Sequence, residues 1–223
     1  MDLELRIGEE IGTVPAILLR PDGAWSLLAL AHGAGAGMRH RFMEHVAGAL
    51  ADRGIATLRY QFPYMERGIR RPDPPGVLQA AVRAAVARAG EEAGGLLLLA
   101  GGKSLGGRMT SGAAAQQPLA GVAGLVFFGF PLHPPRQPAT SRAEHLDRVP
   151  HPMLFLQGTR DDLADLELIS GVTRRLGARA TLHVVEGADH AFEVLKRSGR
   201  TDGEVLAELA DSVARWGGAL AGR

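Results

Sequence analysis

The sequence contains no cysteine, which excludes disulfide bonds, thiolate metal sites and a cysteine nucleophile. It also lacks long apolar runs: the stretches 27–31 and 96–100 are only a strand long, whereas about 20 apolar residues are needed to span a bilayer. The first residues, 1–6, alternate and carry acids, unlike the basic and then apolar start of a signal peptide. These absences predict a cytoplasmic protein that does not enter a membrane.

The sequence also has no excess of charge of one sign. It contains 25 lysines and arginines and 24 aspartates and glutamates, so its formal net charge is +1. No block of like charge stands out, so we expect no attraction to nucleic acid or to an anionic membrane. A small molecule is the expected partner, and the oligomeric state is left open. The chain has 223 residues, 46% of them apolar, and no linker rich in glycine, proline and serine, which predicts one domain, 1–223.

The pattern of apolar residues predicts an α/β fold with a mostly parallel central sheet and helices on both faces. Two short runs separated by Gly8 and Gly12 indicate an N-terminal hairpin. Apolar strands then alternate with segments of helical period. The predicted strands are 3–7, 14–19, 27–31, 56–60, 96–100, 124–128, 153–157 and 181–185, and the predicted helices are 42–52, 77–89, 105–115, 163–176 and 204–216.

Two proline-containing segments, 61–76 and 129–152, fit neither pattern. Irregular segments of this length inside a domain are usually functional or mobile. Neither is long enough to form a helical lid, so we expect an open site without a cap domain.

The most informative motif is Gly102-Lys103-Ser104-Leu105-Gly106, which matches G-x-S-x-G. In such an elbow, a serine nucleophile sits on a strained turn between a buried strand and a helix, and the flanking glycines avoid collisions with neighbouring backbone. The apolar run 96–100 and the helical segment after the serine supply that context. A phosphate-binding loop is the alternative, but it requires a glycine at position 97, which is a leucine.

A serine nucleophile requires a histidine to accept its proton and a carboxylate to orient that histidine. Asp161 follows the predicted strand 153–157 and is the preferred acid, with Asp162 and then Asp165 as alternatives. An N-cap role for the following helix is the competing interpretation of Asp161 and Asp162. His190 follows the last strand in a glycine-containing loop, and the order Ser104, Asp161, His190 is the one expected of an α/β-hydrolase.

Acyl transfer also requires hydrogen-bond donors for the oxyanion. The backbone N–H of Leu105, directly after the serine, is one candidate. The second is expected from the glycine loop 32–37, which follows the strand 27–31, with Ala34 preferred and Gly35 next. A flexible turn or a dinucleotide loop is the alternative, although the glycines lack the G-x-G-x-x-G spacing.

Basic residues near these loops suggest possible contacts with substrate. Arg39, His40 and Arg41 follow the glycine loop, and Arg67, Arg70 and Arg71 lie in the segment 61–76. If both loops border the site, they predict a preference for anionic acyl groups; a solvated basic rim is the alternative. Lys103 is expected to pair with an acid of a neighbouring loop, or to raise the positive potential near the oxyanion.

Four of these segments together resemble a known family of proteins. The segments 32–33, 102–106, 158–161 and 189–190 together resemble the α/β-hydrolase superfamily, particularly its small dienelactone-hydrolase-like members. The resemblance implies an α/β-hydrolase fold and a serine hydrolase that cleaves an ester, thioester or lactone, with no metal and no cofactor.

A closer resemblance links the runs 32–37, 101–108 and 130–135 to hydrolase-like proteins of the NSL-complex-subunit and testis-expressed type. Some of these proteins are better known as members of assemblies than as enzymes. The resemblance therefore implies an alternative function, a non-catalytic scaffold that uses the loop 130–138 for docking. An acyltransferase or perhydrolase with the same catalytic residues is a further alternative.

Overall fold

A central eight-stranded sheet organises the protein, which a computed structural model describes for residues 1–222. Its strands are β1 (Asp2–Gly8), β2 (Gly12–Leu19), β3 (Ser26–Ala31), β4 (Ile55–Tyr60), β5 (Leu97–Lys103), β6 (Val122–Phe128), β7 (Met153–Gly158) and β8 (Ala180–Val185). Their order is β1-β2-β4-β3-β5-β6-β7-β8, in which β2 pairs antiparallel with β1 and β4 and all other neighbours are parallel. The predicted hairpin and mostly parallel sheet are confirmed.

Helices cover both faces of the sheet, as predicted. They are α1 (Arg41–Ala51), α2 (Pro63–Glu66), α3 (Pro75–Ala93), α4 (Leu105–Gln116), α5 (Leu166–Leu176) and α6 (Asp202–Leu220). Successive residues of a strand point to opposite faces. Leu27 accordingly packs in one core with α3, α4 and α5, whereas Leu28 packs in the other with α1 and α6.

The two proline-containing segments carry short helices that the apolar pattern did not predict. The first contains α2, and the second contains a 3₁₀ helix, Ser141–Arg148. Phe130 and Leu132, at the start of the second segment, are fully buried. This part of the segment therefore belongs to the core and does not present those side chains for docking.

The carboxyl ends of β3, β5, β7 and β8 meet at one edge of the sheet, where ligand sites of open α/β folds lie. Within residues 1–222 no cap domain covers this edge, as expected. No helix in the same range is long and apolar enough to cross a membrane.

Candidate active site

Ser104 lies at the turn between β5 and α4 in a backbone conformation that few L-residues adopt. Its φ is 50° and its ψ is −113°, and its N–H donates to the carbonyl of Phe128 at 3.1 Å. Strained backbone of this kind persists only where the surrounding structure enforces it, and it occurs most often at functional sites. The turn therefore presents Ser104 in the way that a nucleophile elbow does.

The glycines around Ser104 are required by close backbone contacts. A Cβ on Gly102 would lie 2.5 Å from the carbonyl oxygen of Ala31, and one on Gly106 would lie 2.6 Å from the same oxygen. A Cβ on Gly101 would lie 1.9 Å from the carbonyl oxygen of Val126. A side chain at Gly102 or Gly106 would displace β5 or α4 from β3, so the G-x-S-x-G pattern has a steric cause here, and one at Gly101 would displace β5 from β6.

A chain of hydrogen bonds joins Ser104, His190 and Asp161. The Ser104 Oγ lies 2.9 Å from His190 Nε2, and His190 Nδ1 lies 2.7 Å from Asp161 Oδ2. An ionised carboxylate only accepts hydrogen bonds, so the proton of the neutral imidazole sits on Nδ1 and Nε2 is free to accept from the Ser104 hydroxyl. The Asp161 side chain is 1% exposed and that of His190 is 22% exposed, which leaves only the histidine open to solvent.

Asp161 is held by two further donors. The backbone N–H of Leu163 donates to its Oδ1 at 2.8 Å, and the side-chain amide of Gln157 donates to its Oδ2. Gln157 is fully buried on β7, and its Oε1 accepts from the N–H of Phe130 at 3.1 Å. Sequence reasoning missed Gln157, because a polar residue at the end of an apolar strand has no motif of its own.

The alternative N-cap role falls on a different aspartate. Asp165 caps α5, where its Oδ1 accepts from the N–H groups of Glu167 at 3.0 Å and Leu168 at 3.1 Å. Asp162 is exposed and lies between the two functional positions. The N-cap interpretation of Asp161 and Asp162 is therefore wrong, and α5 begins at Leu166 rather than at position 163.

The loop that carries His190 is closed by the side chain of Asp189. Its Oδ1 accepts from the N–H of Ala191 at 2.9 Å and from that of Glu193 at 3.0 Å. Phe192, two residues after the histidine, has a φ of 64°, which is uncommon for a residue with a bulky side chain. This compact turn fixes the direction of the His190 imidazole.

The expected oxyanion donors lie next to Ser104. Leu105 is the first residue of α4, so its N–H has no acceptor within the helix. A Cβ on Gly33 would lie 3.7 Å from the Cβ of Ser104, which shows how closely the glycine loop approaches the serine. Ala34 lines the cleft beside Ser104, whereas Gly35 is not among the lining residues.

His32 anchors the glycine loop. Its Nε2 accepts from the N–H of Phe62 at 3.0 Å, so its Nδ1 carries the proton and donates to the carbonyl of Gly33 at 2.7 Å. Burial lowers the pKa of this imidazole to about 4, which keeps it neutral near pH 7. A neutral histidine of fixed tautomer thus ties the end of β3 to the segment after β4.

The cleft at Ser104 has a volume of about 450 Å³. One wall is aromatic: the rings of Phe42 and Phe192 stack with their centroids 5.8 Å apart. Met43 and Leu206 add further apolar surface to the lining. Such a cleft, apolar with a few convergent polar groups, suits a small organic substrate.

Lys103 contributes a cation to this cleft. Its ammonium donates to the carbonyl of His190 and lies 5.8 Å and 5.5 Å from the ring centroids of Phe42 and Phe192. Burial lowers its pKa to about 8, although the charges of Asp161 and Asp189 act in the opposite direction. The expected ion pair with an acid does not form among residues 1–222. The ammonium instead contacts the carbonyl of His190 and the two aromatic rings.

Of the basic residues predicted near substrate, only some reach the cleft. His40 lines it and also caps α1, where its Nδ1 accepts from the N–H of Phe42 at 3.3 Å. Arg41 also lines the cleft, paired with Glu193. Arg39 instead pairs with Asp2 at 3.1 Å, and neither Arg39 nor any of the predicted arginines of the segment 61–76 belongs to the lining. The turn after the glycine loop directs Arg39 toward β1, away from Ser104.

Comparison with solved structures finds the same fold in proteins of low sequence identity. An alpha-beta serine hydrolase homologue from Coxiella burnetii is 19% identical, with a TM-score of 0.72 over 96% of each chain. A serine hydrolase without a lid from Xanthomonas campestris is 20% identical, with a TM-score of 0.74 over 97% of this chain and 94% of that one. A dienelactone hydrolase from Anabaena variabilis is 22% identical, with a TM-score of 0.73 over 97% and 95%.

A family model of the alpha/beta hydrolase domain matches residues 24–218. The match covers the glycine loop, the elbow, Asp161 and His190, and it begins after the N-terminal hairpin. Because it extends over most of the sequence, the chain belongs to the alpha/beta hydrolase family.

Proposed function

We propose that the protein is a serine hydrolase that cleaves a small carboxylic ester, thioester or lactone. The observation that carries this proposal is the hydrogen-bonded series from Asp161 through His190 to Ser104, at a serine held in a strained turn. A serine hydroxyl is a weak nucleophile unless an adjacent base removes its proton. The arrangement supplies that base and orients it.

In the acylation step, Ser104 Oγ attacks the carbonyl carbon of the substrate while His190 Nε2 takes the hydroxyl proton. Asp161 stabilises the imidazolium that forms and remains ionised. Collapse of the tetrahedral intermediate breaks the bond to the leaving alcohol or thiol, which receives the proton from His190. The product of this step is an ester between the acyl group and Ser104.

The tetrahedral intermediate carries a negative oxygen, for which the N–H groups of Leu105 and Ala34 are the proposed donors. A water molecule then enters, gives its proton to His190 and attacks the acyl group on Ser104. The second tetrahedral intermediate releases the acid and returns the proton to Ser104 Oγ. The cleft is open to solvent, which supports water as the acceptor over transfer to another alcohol or to peroxide.

The lining of the cleft supports a small, mainly apolar acyl group. Phe42 and Phe192 offer flat apolar surface, while the charge of Lys103 lies on their inner side. A cationic acyl group would be repelled by Lys103, so neutral and anionic acyl groups are the proposed substrates.

Substitution of Ser104 by alanine tests the proposal. The variant is expected to hydrolyse p-nitrophenyl acetate about 10⁴-fold to 10⁶-fold more slowly than the wild type, since the nucleophile is lost. Labelling by a fluorophosphonate probe is expected to disappear in parallel. Ser198→Ala, which changes an exposed serine outside the cleft, is the matched control and keeps both activities.

The same experiment separates the enzyme from its main alternative. A scaffold that retains only the fold predicts no fluorophosphonate labelling of the wild-type protein. Hydrolysis by Ser104→Ala at the wild-type rate would also refute the proposal. Transfer to added alcohol or peroxide in preference to water would identify an acyltransferase or perhydrolase.

A further inference from the structure

A second cavity, of about 370 Å³, lies between α3, α4 and the 3₁₀ helix Ser141–Arg148. It shares no lining residue with the cleft at Ser104. The helices α3 and α4 pack on the sheet face opposite α1 and α6, whose residues border the cleft. The cavity is therefore a separate place on the molecule, unused by the proposed hydrolysis.

The polar lining of this cavity consists of hydrogen-bond donors and lacks acids. Arg108, Arg142 and Arg148 supply three guanidinium groups, and we call the cavity the arginine pocket. Gln79 and Gln116 add side-chain amides to the lining. Among the residues that the structure describes, the lining contains no aspartate or glutamate.

The three arginines have no counter-ion among the residues that the structure describes, as is also true of more than half of the other arginines in that range. Within the range 1–222, none of them forms an ion pair, whereas Arg53, Arg67, Arg88 and Arg175 each pair with a carboxylate. An arginine that lines a concave surface without an acid has donors left for a ligand.

The guanidinium groups repel one another and disfavour the protonated form of a nearby imidazole, that of His145. Burial and then the charge of Arg142 lower the pKa of Arg108. The pKa of His145 falls to about 4 because of burial and the charges of Arg108 and Arg148. A bound anion would relieve this repulsion. The positive potential of the pocket therefore favours the binding of an anion.

The pocket is held in shape by contacts on its inner side. Ser111 Oγ and His145 Nε2 lie 2.7 Å apart, which fastens the 3₁₀ helix to α4. A Cβ on Gly112 would lie 2.6 Å from Nε2 of Gln79. The side-chain amide of Gln79 can therefore pack against α4 only because position 112 is a glycine. Ser111 is fully buried, and the pair with His145 is accordingly structural rather than a second nucleophile.

We propose that the arginine pocket binds a small anionic molecule through a phosphate group. A phosphate offers oxygens in several directions and carries up to two charges, which matches guanidinium groups from three positions, whereas one carboxylate fills a single guanidinium fork. A concave pocket on a chain of net charge +1 fits a small molecule better than a nucleic acid strand, which would need an extended basic surface.

Isothermal titration calorimetry with inorganic pyrophosphate and orthophosphate tests the proposal, in a buffer without other multivalent anions. We expect saturable binding of pyrophosphate by one site, and weaker binding of citrate, a carboxylate of comparable charge. Arg142→Gln and Arg148→Gln are expected to weaken pyrophosphate binding at least about tenfold, since each removes a charge-assisted donor. Arg197→Gln, which changes an exposed arginine outside the pocket, is the matched control.

The imidazole of His145 gives a second measurement, by NMR titration of its ring protons. Bound pyrophosphate is expected to raise the pKa of His145, and Arg142→Gln to require at least about tenfold more pyrophosphate for the same rise. The proposal is overturned if the wild type binds no pyrophosphate up to about 10 mM, if both arginine variants bind it as well as the wild type does, or if citrate binds as tightly.

Discussion

At the scale of single residues, the position of one carboxylate depends on a side chain that carries no motif. The amide of Gln157 donates to Asp161 and accepts from Phe130, so one buried residue joins the ends of two neighbouring strands to the acid. A neutral donor at that place adds no second negative charge beside Asp161, which accepts from His190. Gln157 is thus a positioning residue in the proposed mechanism.

Substitution of Gln157 by glutamate is expected to move the acid limb of the pH–rate profile to higher pH. The variant keeps the shape of the side chain but faces Asp161 with a second carboxyl group, and two close carboxylates raise each other's pKa. Gln157→Leu is expected to lose about 1–3 kcal/mol of stability, because Phe130 and Asp161 each lose a partner. The measurements are kcat against pH and urea unfolding.

Gln137→Glu, at an exposed amide, is the control for this change and is expected to keep the wild-type profile. An unshifted acid limb in folded Gln157→Glu would show that Gln157 does not act through Asp161.

Asp161 and Asp162 are adjacent in sequence, and their substitution separates the two candidate acids. Asp161→Asn is expected to reduce kcat about 10⁴-fold, because the amide no longer holds the proton of His190 on Nδ1. Asp162→Asn is expected to retain wild-type activity, since this side chain is exposed. Steady-state kinetics with p-nitrophenyl acetate compares the two, and the reverse ranking would make Asp162 the acid.

The sequence predicted Asp161, Ser104 and His190 because strand ends and chain order are readable in one dimension. The roles of Gln157 and Phe192 are not readable in this way: both lie close to a site residue in the sequence, but the contacts that they make depend on other elements, Phe130 for Gln157 and Phe42 for Phe192. The contacts of Lys103 could not be predicted either. Its ammonium was expected to pair with an acid, but it contacts a carbonyl and two aromatic rings.

At the scale of elements, the junction of β5 and α4 depends on the close approach of β3. Gly106→Ala is expected to cost about 1–3 kcal/mol or more, because its Cβ would meet the carbonyl oxygens of Ala31 and His32 at 2.6 Å and 2.7 Å. The shift of α4 that relieves this contact is expected to lower kcat about 10²-fold. Thermal unfolding and kinetics measure the two effects.

A glycine in an unobstructed helix provides the comparison. Gly48 lies inside α1, and a Cβ there would meet nothing within 4 Å. Gly48→Ala is therefore expected to stabilise the protein by up to about 1 kcal/mol and to leave kcat unchanged. Equal effects of the two substitutions would mean that the elbow is not sterically constrained.

Most strands and helices could be predicted because apolar runs of strand length and segments of helical period leave a clear pattern. The missed elements are short: α2 has too few residues to show a period, and the 3₁₀ helix Ser141–Arg148 repeats at a different spacing. The predicted start at 163 was wrong because apolar Leu163 and Ala164 precede the capping residue Asp165. Ala164 is buried and Leu163 is half-buried, but both lie in the loop before the helix.

At the scale of the whole molecule, buried neutral histidines make stability depend on acidity. The pKa of His32 is lowered by burial to about 4, whereas the unfolded chain takes up this proton near pH 6.5. The folded state therefore binds fewer protons than the unfolded state between these values. Stability is present in full above about pH 6.5 and is lost as the pH falls toward 4.

His32→Asn is expected to be less stable than the wild type at pH 7, because its hydrogen bonds to Phe62 and Gly33 are disturbed. This deficit is expected to shrink by about 2 kcal/mol at pH 5, since the variant no longer takes up that proton on unfolding. Urea unfolding at both pH values measures it. His45→Asn, at an exposed histidine, is expected to follow the wild type, and a constant deficit for His32→Asn would contradict the argument.

The order of the strands could not be obtained from the sequence, because local patterns do not say which parallel strands are neighbours. That order decides which loops surround Ser104. The two loops with predicted basic contacts illustrate the consequence: Arg39 turns to β1 and Arg70 stays outside the cleft, whereas His40 reaches it. The proposed acceptance of anionic acyl groups therefore depends on Lys103, because Arg41, which also lines the cleft, is paired with Glu193.

The adjacency of Lys103 and Ser104 also has a practical consequence for peptide mapping. Trypsin cuts after Lys103, so a covalent probe on Ser104 is recovered on the short peptide Ser104-Leu105-Gly106-Gly107-Arg108. A probe on the amine of Lys103, a group that its lowered pKa makes reactive at mildly alkaline pH, abolishes that cut. The label then appears on one long peptide, 89–108, and the peptide mass alone identifies which of the two nucleophiles reacted.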